Sequence, residues 1–159
     1  MPTEEKHAFI EEIKPLAHQK IFFSFYDYYQ AYYIFNRQYV LELNPELDVL
    51  LVCAIARTDY LLEYLEEKVN SVIALEYEDH HFFNKYDIAH IKKRFDAMES
   101  EKKLILTTEK DMMRLELHKP FLVENQLPIF ALPVQVGFHF DEGPQFDQEV
   151  KDFLLNFKV

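Results

Sequence analysis

Apolar residues along the chain change their period several times, and each change predicts an element. Over the first turn-forming stretch Phe9, Ile10, Ile13, Leu16 and Ala17 recur at helical spacing. Thr3 stands before Glu4 and Glu5, acids that suit the positive end of a helix dipole, so a helix starts there. Pro15 ends or bends it, because a proline removes a backbone donor and clashes with the preceding turn. The continuous run Ile21-Phe22-Phe23-Ser24-Phe25-Tyr26 favours a strand by propensity. Tyr28, Tyr29, Tyr32 and Tyr33 follow and are expected to build a sheet and a small core. The alternative for these rings is an amphipathic aromatic surface against lipid, since tyrosine suits such boundaries.

From residue 48 the pattern becomes regular. Val49 to Ile55 is a short apolar run, as in a strand buried on both faces. Thr58-Asp59 opens a helix carrying Leu61, Leu62, Leu65 and Val69, and Ser71 to Leu75 is a second buried strand. Asn84 and Asp87 resemble a capping pair for a helix whose stripe is Ile88, Ile91, Phe95 and Met98. Lys103 to Leu106 is a third strand, and Thr107-Thr108-Glu109-Lys110-Asp111 begins another helical turn. Pro128 to Val136 reads as a fourth strand or a bent pair, and Phe146, Val150, Phe153, Leu154 and Phe157 mark a terminal helix. Alternating strands and helices predict an α/β fold with an open, mostly parallel, Rossmann-like sheet flanked by helices. That domain is expected over residues 46–159, with residues 1–45 as an N-terminal extension of helix and aromatic strand packing on it.

Composition narrows the chemistry. The chain has 159 residues, enough for a core of its own, and 49% are hydrophobic. It has only two glycines, Gly137 and Gly143, and no G-x-x-x-x-G-K-[ST]. A phosphate cradle of the common kinds needs clustered glycines, so the sequence is not that of an independent nucleotide-binding enzyme. A formal charge of −11 argues against a general binder of nucleic acid or anionic membranes. Lys92, Lys93, Arg94, Lys102, Lys103 and Lys110 form the densest basic neighbourhood and read as solvated helix flanks. The single cysteine, Cys53, lies in an apolar run and is expected to be a small core residue. No run of about 18 apolar residues occurs, and the acidic start lacks a signal-peptide pattern.

Two polar clusters follow predicted strands, where open parallel sheets gather their functional groups. The first is Asp79-His80-His81, in which a carboxylate could orient an imidazole for general-base work. The plain alternative is a pair of loop histidines making structural hydrogen bonds. A metal site from Asp79, His80, His81 and His90 lacks ligand spacing, because adjacent residues on an extended segment point apart, and no metal is expected. The second cluster is Thr107 to Asp111. Thr108 and Asp111 fit a capping box, and a helix start favours anions, to which Lys110 could add a point charge. Glu109 and Asp111 oppose a bare phosphate cradle.

The order strand, Asp79-His80-His81-Phe82, helix, strand, Thr107-Thr108-Glu109-Lys110-Asp111 resembles the C-terminal part of the tetraacyldisaccharide 4′-kinase family. Gln19 with Phe22-Phe23-Ser24, Leu127-Pro128-Ile129 and the terminal helix fit as well. The chain departs from that pattern at Ala54-Ile55-Ala56-Arg57-Thr58, where the family has a glycine at the first position and commonly a proline at the last. Met112-Met113 also replaces small residues, before the familiar Arg114-Leu115. The resemblance implies an ATP-dependent, magnesium-requiring kinase of the 4′-hydroxyl of a lipid A precursor, working at the cytoplasmic face of the inner membrane. It implies that the P-loop domain is a separate partner absent from this sequence, so this chain holds no cofactor and is inactive alone. His80 is implied to reach across a cleft to an acid of that domain, with Asp79 orienting it and His81 as the second choice. Thr107, Thr108, Glu109, Lys110 and Asp111 are implied to face the cleft. The rival reading is a non-catalytic module that binds a phosphorylated or acylated sugar.

Overall fold

A computed structural model describes residues 1–157. It divides into two compact units, residues 28–133 and residues 1–27 with 134–159. The larger unit is built on a six-stranded sheet. Its strands are β2 (Ala31–Tyr33), β3 (Asn36–Leu41), β4 (Asp48–Cys53), β5 (Ser71–Glu76), β6 (Lys103–Thr108) and β7 (Ile129–Leu132). Across the sheet the order is β3-β2-β7-β6-β4-β5. β7, β6, β4 and β5 run parallel, whereas β2 pairs antiparallel with both β7 and β3. The predicted open, mostly parallel α/β sheet is therefore present, with an antiparallel edge added to it.

The helices follow from the handedness of parallel connections. α2 (Asp59–Glu66) carries the chain from β4 outward to β5. α3 (Lys85–Asp96) then carries it back past β4 to β6, and α4 (Glu109–Leu115) and α5 (Lys119–Glu124) continue to β7. Right-handed crossovers in opposite directions place their helices on opposite faces. The core has that division: Leu61 and Leu65 of α2 pack with Val49, Leu51 and Cys53, while Ile88, Ile91, Met112, Leu115 and Leu122 pack with Leu50, Val52 and Ala54. Alternate residues of β4 thus feed the two layers, as strand geometry requires. Cys53 is buried there, and burial pushes its thiol up to about 12, so it serves as a core residue.

α3 begins as its sequence predicts. The Asn84 side chain accepts from the Tyr86 and Asp87 N–H groups, and the Asp87 carboxylate accepts the Asn84 N–H in return. The aromatic segment resolves differently from a single strand. Tyr32 in β2 and Ile34 in the turn after it are buried, and the β2–β3 hairpin they belong to is not signalled as a pair of strands.

The smaller unit contains α1 (Thr3–Ile13), β1 (Ser24–Tyr28), which reaches the boundary, β8 (Val134–Phe138) and α6 (Gly143–Asn156). α1 stops one residue before Lys14, which adopts a left-handed conformation just ahead of Pro15. β1 pairs with β8. Gly137 faces Phe25 so closely that a Cβ there would meet the ring at 2.4 Å, which accounts for the absent side chain. The bend anticipated within residues 128–136 falls at Pro133, between β7 and β8. β2 and β3 complete the main sheet, and residues 134–157 belong with residues 1–27 to the smaller unit.

Candidate active site

The chain reverses direction across the sheet between β4 and β6. In open α/β sheets that crevice, outside the carboxyl ends of the strands, is the place where ligands bind. The register puts Val52 of β4 beside Thr107 of β6, so the turn after Cys53 and the start of α4 emerge together.

Asp111 joins them. It is wholly buried, and one carboxylate oxygen accepts the Ala54 N–H at 2.9 Å and the Thr108 hydroxyl at 2.8 Å. The other accepts from Arg114 Nη1 at 3.1 Å. Thr108 caps α4 by accepting the Asp111 N–H at 3.1 Å. The expected capping box is thus half made: the Asp111 carboxylate goes to β4 rather than back to its own N-cap N–H. Ala54 meanwhile accepts the His80 N–H at 3.3 Å. Both backbone polar groups of Ala54 are spent inside the protein and the residue is fully buried. It has no positive φ, so an alanine sits there without backbone strain.

The loop after β5 lies on the same edge. Tyr77 continues the pairing to Cys53, and the chain then turns through His80 at φ 64°. His80 is exposed; its Nε2 lies 3.5 Å from Asp79 Oδ2, and its Nδ1 lies 3.3 Å from Arg114 Nη2. Lys110 Nζ donates to Asp79 at 3.0 Å. The bond from that ammonium holds the Asp79 carboxyl below its usual range against the opposing effect of desolvation, and His80 adds a smaller lowering.

His81 faces elsewhere. Its Nε2 is 2.9 Å from Asp87, and its ring stacks on Tyr77 and meets Phe83 edge-on. Asp87 titrates below the usual range: burial pushes it up, but the Asn84 N–H, the His81 bond and nearby histidine charge outweigh that. Burial, with the charge of Asp87, pushes the Tyr77 phenol up to about 12.

The anticipated residues therefore separate into two sets. Asp79, His80 and Lys110 share an accessible surface at the strand ends. Thr107 and Asp111 are buried, and among the described residues Thr107 Oγ1 has no hydrogen-bond partner. Glu109 accepts the Tyr32 hydroxyl at 2.7 Å, and burial together with this bond pushes the Tyr32 phenol up to about 12. Arg114, which links the two clusters, was not among the anticipated site residues. Its spacing of three from Asp111 on a helix is the signal that could have found it. Among the described residues no group of three histidine, cysteine or acidic side chains forms a metal site.

Comparison with known proteins gives the site its context. A tetraacyldisaccharide 4′-kinase of Bacteroides thetaiotaomicron is 39% identical over 108 residues, covering 67% of this chain and 28% of that protein. One from Phocaeicola vulgatus is 32% identical and covers 91% of this chain and 40% of that protein. The chain thus spans less than half the length of these relatives. A crystal structure of LpxK from Aquifex aeolicus in complex with ATP aligns over 95% of this chain and 44% of its own, at 15% identity and a TM-score of 0.45. The profile of the Tetraacyldisaccharide-1-P 4′-kinase family matches residues 5–155, and the chain belongs to that family.

Proposed function

We infer that this chain supplies one wall of the catalytic cleft of an ATP-dependent kinase that phosphorylates the 4′-hydroxyl of the tetraacyldisaccharide 1-phosphate precursor of lipid A. The observation that carries this reading is the meeting of Asp79-His80 with Lys110 and Arg114 at the β4/β6 switch point. In it, His80 is the catalytic histidine and Asp79 orients it. His81 is the weaker candidate, because Asp87 and the Tyr77 ring already hold it. Thr108, Glu109 and Lys110 line or support the wall, while Thr107 and Asp111 act from beneath it.

Phosphoryl transfer works by positioning and by electrostatic stabilisation of the phosphates. This sequence has no glycine-rich cradle, so ATP and magnesium belong to a P-loop domain in the part of the family's length that the chain does not span. The surface of the smaller unit supports such a partner. α1 and α6 have no buried residues, and Ile13, Phe153, Leu154 and Leu155 are exposed. No described helix is long and apolar enough to cross a membrane. Work at the cytoplasmic face of the inner membrane therefore depends on association rather than on a span among these residues.

The chain alone is expected to show no ATP-dependent phosphorylation of the precursor; turnover by it would overturn the division of labour. Joined to the P-loop portion, His80→Ala is expected to lower kcat by about 10²–10⁴-fold, the usual worth of general acid–base help. A near-normal rate would remove His80 from the mechanism. Tight binding of the precursor by this chain with no effect of His80→Ala on the joined enzyme would favour the non-catalytic binding module instead.

A further inference from the structure

We propose that Arg114 is a positioning residue that fixes the protonation pattern of His80, making that ring a hydrogen-bond donor through Nε2. Its catalytic meaning rests on the kinase reading; the geometry stands on its own.

Arg114 is held before it reaches His80. Its Nη1 donates to the buried Asp111 carboxylate at 3.1 Å, and its guanidinium lies 5.6 Å from the centre of the Phe82 ring. The side chain is only 16% exposed, against 69% for His80. Asp111 is in turn fixed to the end of β4 through Ala54 and to the first turn of α4 through Thr108. A rigid chain of contacts thus runs from the centre of the sheet to Nη2, which lies 3.3 Å from His80 Nδ1. The His80 backbone is fixed from the same place, by its N–H on the Ala54 carbonyl.

A guanidinium has only donors and keeps its protons at any working pH. Nδ1 facing it must therefore offer its lone pair. The proton of the neutral ring then sits on Nε2, the nitrogen nearer Asp79. The only lone pair of that ring is engaged with Arg114. His80 can take up a proton at Nδ1 only by letting go of Arg114. In the arrangement seen, its available role is to donate Nε2–H; the nearest carboxylate, Asp79, stands at 3.5 Å, beyond a good hydrogen bond, so that proton is left for an acceptor brought to this surface.

The test is a long-range proton–nitrogen correlation spectrum of the His80 ring in this chain, recorded with the ring neutral. The wild-type chain is expected to show one tautomer, with hydrogen on Nε2 and Nδ1 as acceptor. Arg114→Lys keeps a cation for Asp111 but cannot span both partners, and Arg114→Met removes the donor. Either is expected to shift the tautomer ratio by about tenfold toward Nδ1–H, the worth of one hydrogen bond to a charged group. Substantial Nδ1–H in the wild-type chain would overturn the proposal even if neither variant folds. An unchanged ratio in folded variants would also overturn it, while leaving the kinase reading intact. A normal rate for His80→Ala in the joined enzyme would do the reverse: it would sink the kinase role of His80 and leave the tautomer result standing.

Discussion

Replacing Asp111 by alanine is the severest single test of how the site is built. The side chain is completely buried and serves Ala54, Thr108 and Arg114 together. Its loss does not cost these three contacts equally. Arg114 and Thr108 lie near the surface and can turn toward water. The Ala54 N–H cannot, because Ala54 is fully buried at the end of the central strand. An orphaned buried donor costs about 1–3 kcal/mol. Removing one partner of a buried ion pair costs about 3–5 kcal/mol, and the partial exposure of Arg114 argues for the lower end. Together these give a loss of about 4–6 kcal/mol, large against the 5–15 kcal/mol typical of a domain. Urea unfolding measures it: the midpoint is expected to fall while the slope with denaturant stays unchanged, since the surface exposed on unfolding is similar. Asp111→Asn tests the chemistry at constant shape. Its amide keeps one acceptor but sets N–H donors against donors, so it should fall between wild type and alanine. A loss under about 1 kcal/mol for the alanine variant would refute the buried clasp, because that is the scale of a single exposed hydrogen bond.

Two further outcomes follow from the loop beside the site. Asn84→Ala should cost about 1 kcal/mol in urea unfolding, the usual worth of an N-cap, and an unchanged midpoint would count against the capping box. Asp87 is held below the usual carboxylate range, so its contribution is present above the unfolded value of about 4 and is lost as pH falls through the lower folded value. Asp87→Asn should therefore flatten the pH dependence of stability below about pH 4, and a dependence as steep as wild type would show that the carboxylate is not held as described.

Most of the α/β core could be read from the sequence because its signals are local. Val49 to Ile55 is too short and too continuously apolar for anything but a strand covered on both faces, and the Asn84–Asp87 pair marks the start of α3. The β2–β3 hairpin escaped because its residues do not alternate cleanly. Tyr32 is buried while Arg37, Gln38, Tyr39 and Val40 are exposed, as an edge strand allows. The segment from Glu116 to Glu124 was missed because it is a short helical pair with one fully buried residue, Leu122, and so has little stripe to detect. At the site, residue types pointed to Asp79, His80 and Lys110, but spacing could not say that Thr107 and Asp111 lie inward. That depends on β6 being flanked by β4 and β7, a fact of topology rather than of local sequence.

The same topology explains why an aspartate sits where the sequence resembles a simple helix start. A capping residue serves one helix, and glutamate or glutamine at the third position would have reached back to the N-cap. Asp87 at the same position of α3 does return to its N-cap N–H, whereas the Asp111 oxygens reach to Ala54 and to Arg114 instead. One buried carboxylate thereby ties the end of β4, the cap of α4 and the cation beside His80 into a single object. Polar groups are costly to bury unless fully paired, and Asp111 is paired on both oxygens. The arrangement stiffens the accessible His80 from below without occupying the surface that a substrate would need. The two measurements also differ in reach: urea reports the whole clasp, through Ala54 and Arg114 together, whereas the imidazole spectrum reports only the branch that passes through Arg114.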